Sequence, residues 1–166
     1  QGRRLLAVDG SKITLPTTDE LSAHFGVPHD ATRPQALLSG LYDVLNQRWI
    51  DAALMPCASS ERDAVIDHLK HTESDDLVLY DRGYPAYWLY ALHHAHQRDF
   101  CMRLPWNQLN LSRDLCLDDS RDEITFDLAP TVTGKKRCKQ LGIVPKPLTL
   151  RLVKVPLSGQ SRPEIL

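Results

Sequence analysis

The sequence predicts an α/β fold: a mixed sheet in which antiparallel hairpins come first and parallel crossovers follow. Three observations carry this expectation. Short β-prone runs crowd residues 4–55, where only one short helix pattern interrupts them. From residue 59 onward, helical and strand patterns alternate, as helices and strands sharing one sheet require. After Pro105 that alternation stops, and strand-like segments are separated by basic loops containing Gly and Pro. A boundary is therefore expected near residue 106, with a core at 1–105 and a β-rich basic segment at 106–166.

The elements follow in order. Residues 4–8 form a short apolar run of the kind a buried strand shows. Asp9-Gly10-Ser11 is a turn signal, and residues 12–15 make a second β-prone run. Residues 19–24 suit a short helix that Gly26 ends. Residues 36–46 and 48–55 read as two strands around Asn46-Gln47. Ser59 and Ser60, followed by Glu61 and Asp63, open a helix, since serine caps free N–H groups and acids suit the positive end of the dipole. Its apolar stripe of Ala64, Val65, Ile66 and Leu69 runs to about Thr72. Residues 76–80 fit a strand buried on both faces, ending at Asp81-Arg82-Gly83. Pro85 suits the first turn of a helix over 86–97, and residues 99–104 return as a strand. Beyond the boundary, residues 124–126 and 148–155 are strand-like, and no strong helix is expected.

Composition excludes several classes. The 166 residues are 42% hydrophobic and 25% charged, near the globular average, which argues against a collagenous, coiled-coil or wholly disordered chain. No run approaches the ~18 apolar residues of a membrane-spanning helix, and no signal peptide is visible. The chain starts without Met and stops in Pro163-Glu164-Ile165-Leu166, so it is expected to be a fragment cut at both ends. Cys57, Cys101, Cys116 and Cys138 form no CxxC pair and read as reduced thiols. A zinc site would have to use His93, His94, His96 and Cys101; a helix turns position 94 away from 93 and 96, so a solvated helix end is the better reading.

Net charge is −1 but unevenly spread. Residues 1–99 carry 9 Lys and Arg against 14 Asp and Glu; residues 100–166 carry 11 against 7. No acid lies between Asp127 and Glu164, a stretch that holds Lys135, Lys136, Arg137, Lys139 and further cations. Such asymmetry points the second half toward a polyanion; a solvated basic surface is the plainer alternative.

Two aspartates stand at the ends of apolar runs: Asp9 after residues 5–8 and Asp81 after residues 77–80. If the two strands are sheet neighbours, their carboxylates can converge and bind a hard cation such as Mg²⁺ through oxygen. Two such ions about 3.5–4 Å apart can activate an attacking oxygen and stabilise a leaving one in phosphoryl transfer. Spacing alone leaves open that Asp9 serves only a turn.

Residues 5–11 followed by Leu15-Pro16 resemble the first acidic motif of bacterial insertion-sequence transposases of the DDE type, in the IS-four family. Phe25-Gly26 and Arg33-Pro34-Gln35-Ala36 are similar to its linking segments, and Asp51-Ala52 and Ser60-Glu61-Arg62 to the stretch before its second motif. Leu77-Val78-Leu79-Tyr80-Asp81-Arg82-Gly83-Tyr84 resembles that second motif, and Phe100-Cys101-Met102-Arg103 the strand after it. The resemblance implies an RNase H-like core interrupted by a β-rich insertion, with the C-terminal part of the fold missing. It implies a metal-dependent transposase that cleaves and joins DNA strands with Mg²⁺ or Mn²⁺, acts as a homodimer on double-stranded transposon ends and target, and works in the bacterial cytoplasm at the nucleoid, without a membrane.

By the same resemblance, Asp9 and Asp81 are the first two catalytic, metal-binding acids. The third, a glutamate flanked by Tyr, Arg and Lys at helical spacings, has no match here: neither Glu123 nor Glu164 carries that pattern, and it is expected beyond Leu166. The fragment alone is then expected to be inactive or nearly so. Arg82 is a candidate phosphate contact or a structural salt bridge, and Lys135, Lys136, Arg137 and Lys139 form a candidate DNA-contacting loop. Tyr84, Tyr87, Trp88 and Tyr90 read as core aromatics by their spacing, with Trp49 and Trp106 as packing residues. Two rivals remain: a non-catalytic DNA-binding transposase remnant, and another RNase H-like nuclease.

Overall fold

The computed structural model describes residues 2–159 and 162–166, and the chain divides into two compact units, Gln1–Leu79 and Tyr80–Leu166. The first unit begins with β1 (Leu5–Thr14), a single ten-residue strand. α1 (Asp19–Phe25) follows, with the Thr18 hydroxyl accepting from Leu21 N–H at its start and Gly26 at φ 85° ending it. β2 (Gln35–Asp43) and β3 (Arg48–Pro56) form the hairpin the sequence predicts. Its turn is held by the Asp43 carboxylate, which accepts from Asn46 N–H and Nδ2, and by Gln47 in the left-handed region at φ 53°. α2 (Glu61–His68) continues into a 3₁₀ turn (Leu69–His71), and β4 (Leu77–Tyr80) comes next. Ser60 occupies the N-cap of α2 without a side-chain capping bond.

The expected turn at Asp9-Gly10-Ser11 does not exist. Asp9 pairs with Gly40, Gly10 with Ser39 and Ser11 with Leu38 in an unbroken antiparallel ladder. The long-range ladder satisfies every backbone group that a local turn would have served, so it overrides the turn preference of Asp-Gly. Alternation along β1 sends Leu6 and Val8 to one face, buried, and Ala7 and Asp9 to the other. α2 covers the Leu6 face with Ala64 and Val65. A polar chain crosses that packed layer: Asp51 Oδ2 accepts from His68 Nδ1–H at 2.7 Å, and His68 Nε2 meets the Ser39 hydroxyl at 3.0 Å. Ser39 and His68 are fully buried, so the network satisfies polar groups that burial would otherwise penalise.

β4 is hydrogen-bonded next to β1 in a five-stranded mixed sheet of order β3-β2-β1-β4-β5. The second unit supplies α3 (Tyr87–His96), β5 (Asp99–Met102), α4 (Asn110–Leu117), β6 (Glu123–Leu128), α5 (Val132–Gln140), β7 (Leu148–Val155) and β8 (Glu164–Ile165). β6, β7 and β8 make an antiparallel three-stranded sheet whose buried face, Leu152 and Ile165, packs with Leu104 and Leu115.

Two expectations fail here. Residues 106–166 contain helices, α4 and α5, and the basic run at 135–139 is helix rather than loop. α5 buries only Gly134 and Cys138, so it shows no large-apolar periodicity for a reader of the sequence to find. His93 is also no solvated helix end: it is fully buried, with Nδ1–H donating to Arg98 C=O at 3.2 Å and Nε2 accepting from the Tyr80 hydroxyl at 2.8 Å. Tyr84, Tyr87 and Tyr90 are buried as expected.

Gly134 sets the closeness of α5 to α3. A Cβ there would lie 2.6 Å from Tyr87 Cδ1 and 2.8 Å from the capping Thr131 Oγ1. Alanine favours a helix by about 1 kcal/mol over glycine, but overpacking costs about 1–3 kcal/mol. Gly134→Ala is therefore expected to lower the urea unfolding midpoint; a raised midpoint would show that α5 can move away from Tyr87 at no cost.

Candidate active site

Asp9 sits in mid-strand on the exposed sheet face, where its Oδ1 accepts from Gly10 N–H at 2.9 Å. Its β2 neighbour Gly40 carries no side chain, and a Cβ there would collide with the six-membered ring of Trp49. Trp49 reaches this face because of a β-bulge. Leu41 pairs with Asp51 and Tyr42 with Trp49, which leaves Ile50 as the extra residue. The bulge sends Asp51 toward His68 and Trp49 to the side of Asp9. Trp49 meets Tyr42 edge to face at 5.1 Å, and Ala7, Asp9, Gly40, Tyr42 and Trp49 line an open hollow of about 260 Å³. At 66% exposure Trp49 is not the core packing residue the sequence suggested.

In the second unit, Asp81 follows β4 directly. Its Oδ1 accepts from Gly83 N–H at 2.9 Å, an Asx turn that stops the strand. Arg82 is tied to Glu164: its Nη2 donates to Oε1 at 2.6 Å. Arg103 donates to the same carboxylate, from Nη2 to Oε1 at 3.1 Å and from Nε to Oε2 at 3.3 Å. Glu164 is nearly buried, and the two guanidiniums, Arg103 first, hold its carboxyl below the usual value. Arg103 is raised in turn, chiefly by its bond to Glu164 and also by the charge of Asp81. Of the two sequence readings of Arg82, the salt bridge is present, and its side chain stays half exposed.

The basic run forms a third group. On α5, Gly134 and Cys138 face inward, and Lys135, Lys136 and Lys139 are all exposed. Helical spacing puts these three lysines within about 100° of arc opposite the buried stripe. Arg137 lies on the flank, its guanidinium 5.4 Å from the Trp88 ring. It bonds the Gln140 side chain as well.

As metal ligands, Asp9 and Asp81 offer hard oxygens from strand-anchored, exposed positions, with, among the described residues, only Oδ1 of each engaged by a neighbouring N–H. Among the described residues, no three His, Cys, Asp or Glu side chains gather to hold a metal ion. His93 is occupied by Tyr80 and Arg98, and the four thiols are unpaired. Sequence reasoning missed the pairing of Glu164 with Arg82 and Arg103, whose partners lie 82 and 61 positions away.

The family model of the transposase DDE domain matches residues 1–142. No curated protein matches the chain. Among solved structures, the chain is similar to a piggyBac transposase in a synaptic complex with hairpin DNA, with a TM-score of 0.55 and 11% identity. That match covers 99% of this chain and 33% of the other, so this chain spans about a third of that relative's length. At this identity the likeness is one of fold, and the fold is RNase H-like.

Proposed function

This chain belongs to the transposase DDE domain family, and on that premise we propose that it is the central part of an IS-four-type bacterial transposase. Asp9 and Asp81 are the two metal-binding carboxylates of this stretch. The observation that supports this reading is the setting of each acid in its own unit: Asp9 is exposed within β1 and Asp81 is exposed directly after β4, each held by one backbone N–H through Oδ1. Bound Mg²⁺ or Mn²⁺ would lower the pKa of the attacking oxygen and neutralise charge developing on the phosphate. The protein's own part is positioning: rigid strands hold the carboxylates, so little reorganisation is needed as charge builds. Glu123 lies on a strand, β6, and Glu164 is taken up by two arginines, so neither is assigned the third acid's role. A third carboxylate is placed outside residues 1–166, and the stretch alone is assigned little or no activity.

The partner is double-stranded DNA at element ends and target, engaged by a homodimer in the bacterial cytoplasm at the nucleoid. Among the described residues no helix is long and apolar enough to cross a membrane. The core is assigned to residues 1–105 and the insertion to 106–166. Within the insertion, the exposed lysine face of α5 supports sequence-independent contact with the DNA backbone. That face is independent of Asp9 and Asp81, so it would equally serve a non-catalytic DNA-binding remnant.

Fluorescence anisotropy with a labelled duplex tests the DNA reading. Lys135→Ala/Lys136→Ala/Lys139→Ala is expected to weaken binding about tenfold or more at moderate salt. It should also flatten the slope of log K against log salt by up to about 2.7, at ~0.9 per phosphate contact. An unchanged affinity and slope would make α5 a merely solvated helix.

A further inference from the structure

The geometry points to Glu164 as a positioning residue that aims Arg82 and Arg103, as a pair, at one DNA phosphate beside Asp81. This rests on the DNA-processing reading above and extends it to two residues, Arg103 and Glu164, that the acidic motifs do not contain. Glu164 lies on β8, with its side chain 8% exposed. Its Oε1 accepts from Arg82 Nη2 at 2.6 Å and from Arg103 Nη2 at 3.1 Å, and its Oε2 accepts from Arg103 Nε at 3.3 Å. One carboxylate thus fixes two guanidiniums, which remain 50% and 46% exposed.

A purely structural tie needs only one arginine to neutralise the buried carboxylate. Two arginines on Glu164 exceed what that one carboxylate requires, and both are held in a fixed orientation with half of each side chain open to solvent. Asp81 precedes Arg82 in the chain, and its charge reaches Arg103. The exposed edges of the two guanidiniums would give a phosphodiester next to Asp81 charged donors already in place. Guanidinium forks suit phosphate oxygens, and their bonds to Glu164 remove side-chain freedom that binding would otherwise have to freeze.

The test is the sign of one substitution. Glu164→Gln keeps the shape and removes a negative charge, so simple electrostatics expects tighter DNA binding. If Glu164 positions the arginines, binding of a labelled duplex weakens about fivefold or more, and the salt slope falls by about 0.9, one phosphate contact. Arg103→Lys keeps the charge and loses the fork, and is expected to reproduce both changes. Thermal melting of each variant supplies the folded fraction for which affinities are corrected. Corrected affinities for Glu164→Gln equal to or tighter than the unsubstituted chain would overturn the proposal, as would an unaffected Arg103→Lys. These results would leave the lysine-face contact standing. Failure of the unsubstituted chain to bind duplex at all would instead sink the DNA reading, and this inference with it.

Discussion

On the function proposed above, Asp81→Ala is expected to reduce metal-dependent DNA strand cleavage at least about 10³-fold, and Asp9→Ala to do the same. Both carboxylates are exposed, and each makes one local bond, to Gly83 N–H and Gly10 N–H respectively. Their removal should cost about 1 kcal/mol of stability or less, as for most surface positions. Lost activity would therefore report lost chemistry rather than lost fold, and unfolding midpoints measured beside the cleavage assay check that. Groups that act as a unit are non-additive, so the double variant should be no worse than either single one. Cleavage and strand transfer within tenfold of normal in either variant would remove that aspartate from the site.

The second large effect is on stability. Burial holds His93 neutral and pushes its pKa down to about 4 from 6.5, against the smaller opposing effect of the Arg98 carbonyl. In the unfolded chain the same imidazole takes up a proton near pH 6.5. The neutral folded form is therefore fully favoured above that value, and its contribution is lost as pH falls from 6.5 toward 4. A gap of this size corresponds to roughly 3 kcal/mol. Urea unfolding at pH 7 and pH 4.5 should show most of that loss. His93→Gln can still bond both Tyr80 and Arg98 and should flatten the profile in this window. The Glu164 carboxylate acts in a lower window: its pKa is depressed below 4.5, so its contribution persists above that pH and fades only below it. A wild-type profile flat between pH 7 and 4.5 would mean that His93 is protonated at no cost in the fold.

Much of the first unit was legible because its signals are local. The hairpin around Asn46-Gln47, the short helix α1 with Gly26 behind it, and the apolar run ending at Asp81 each lie within a few residues of sequence. The misreadings share a different cause. Asp9-Gly10-Ser11 looks like a turn until β2 lies beside it. Trp49 changes face because Ile50 is an extra residue in β3, and one such residue inverts the parity on which a strand reading depends. α5 packs through Gly134 and Cys138, residues that carry no hydrophobic signal at that spacing. Asp9 and Asp81 are proposed from the apolar runs that precede them and from family motifs; β1 in fact runs on through Asp9 to Thr14. The arginine pair was not legible in this way, since Glu164 meets its partners only through the fold.

The central proposal is that Asp9 and Asp81 are divalent-metal ligands. Titrating the protein with Mn²⁺, read by electron paramagnetic resonance, tests it without DNA or turnover, since Mn²⁺ suits the same oxygen ligands as Mg²⁺. Asp9→Asn and Asp81→Asn should each weaken Mn²⁺ binding about tenfold or more. Full Mn²⁺ affinity in either single variant would remove that aspartate from metal binding, and full affinity in both would contradict the account and leave the lysine face of α5 as the candidate functional surface.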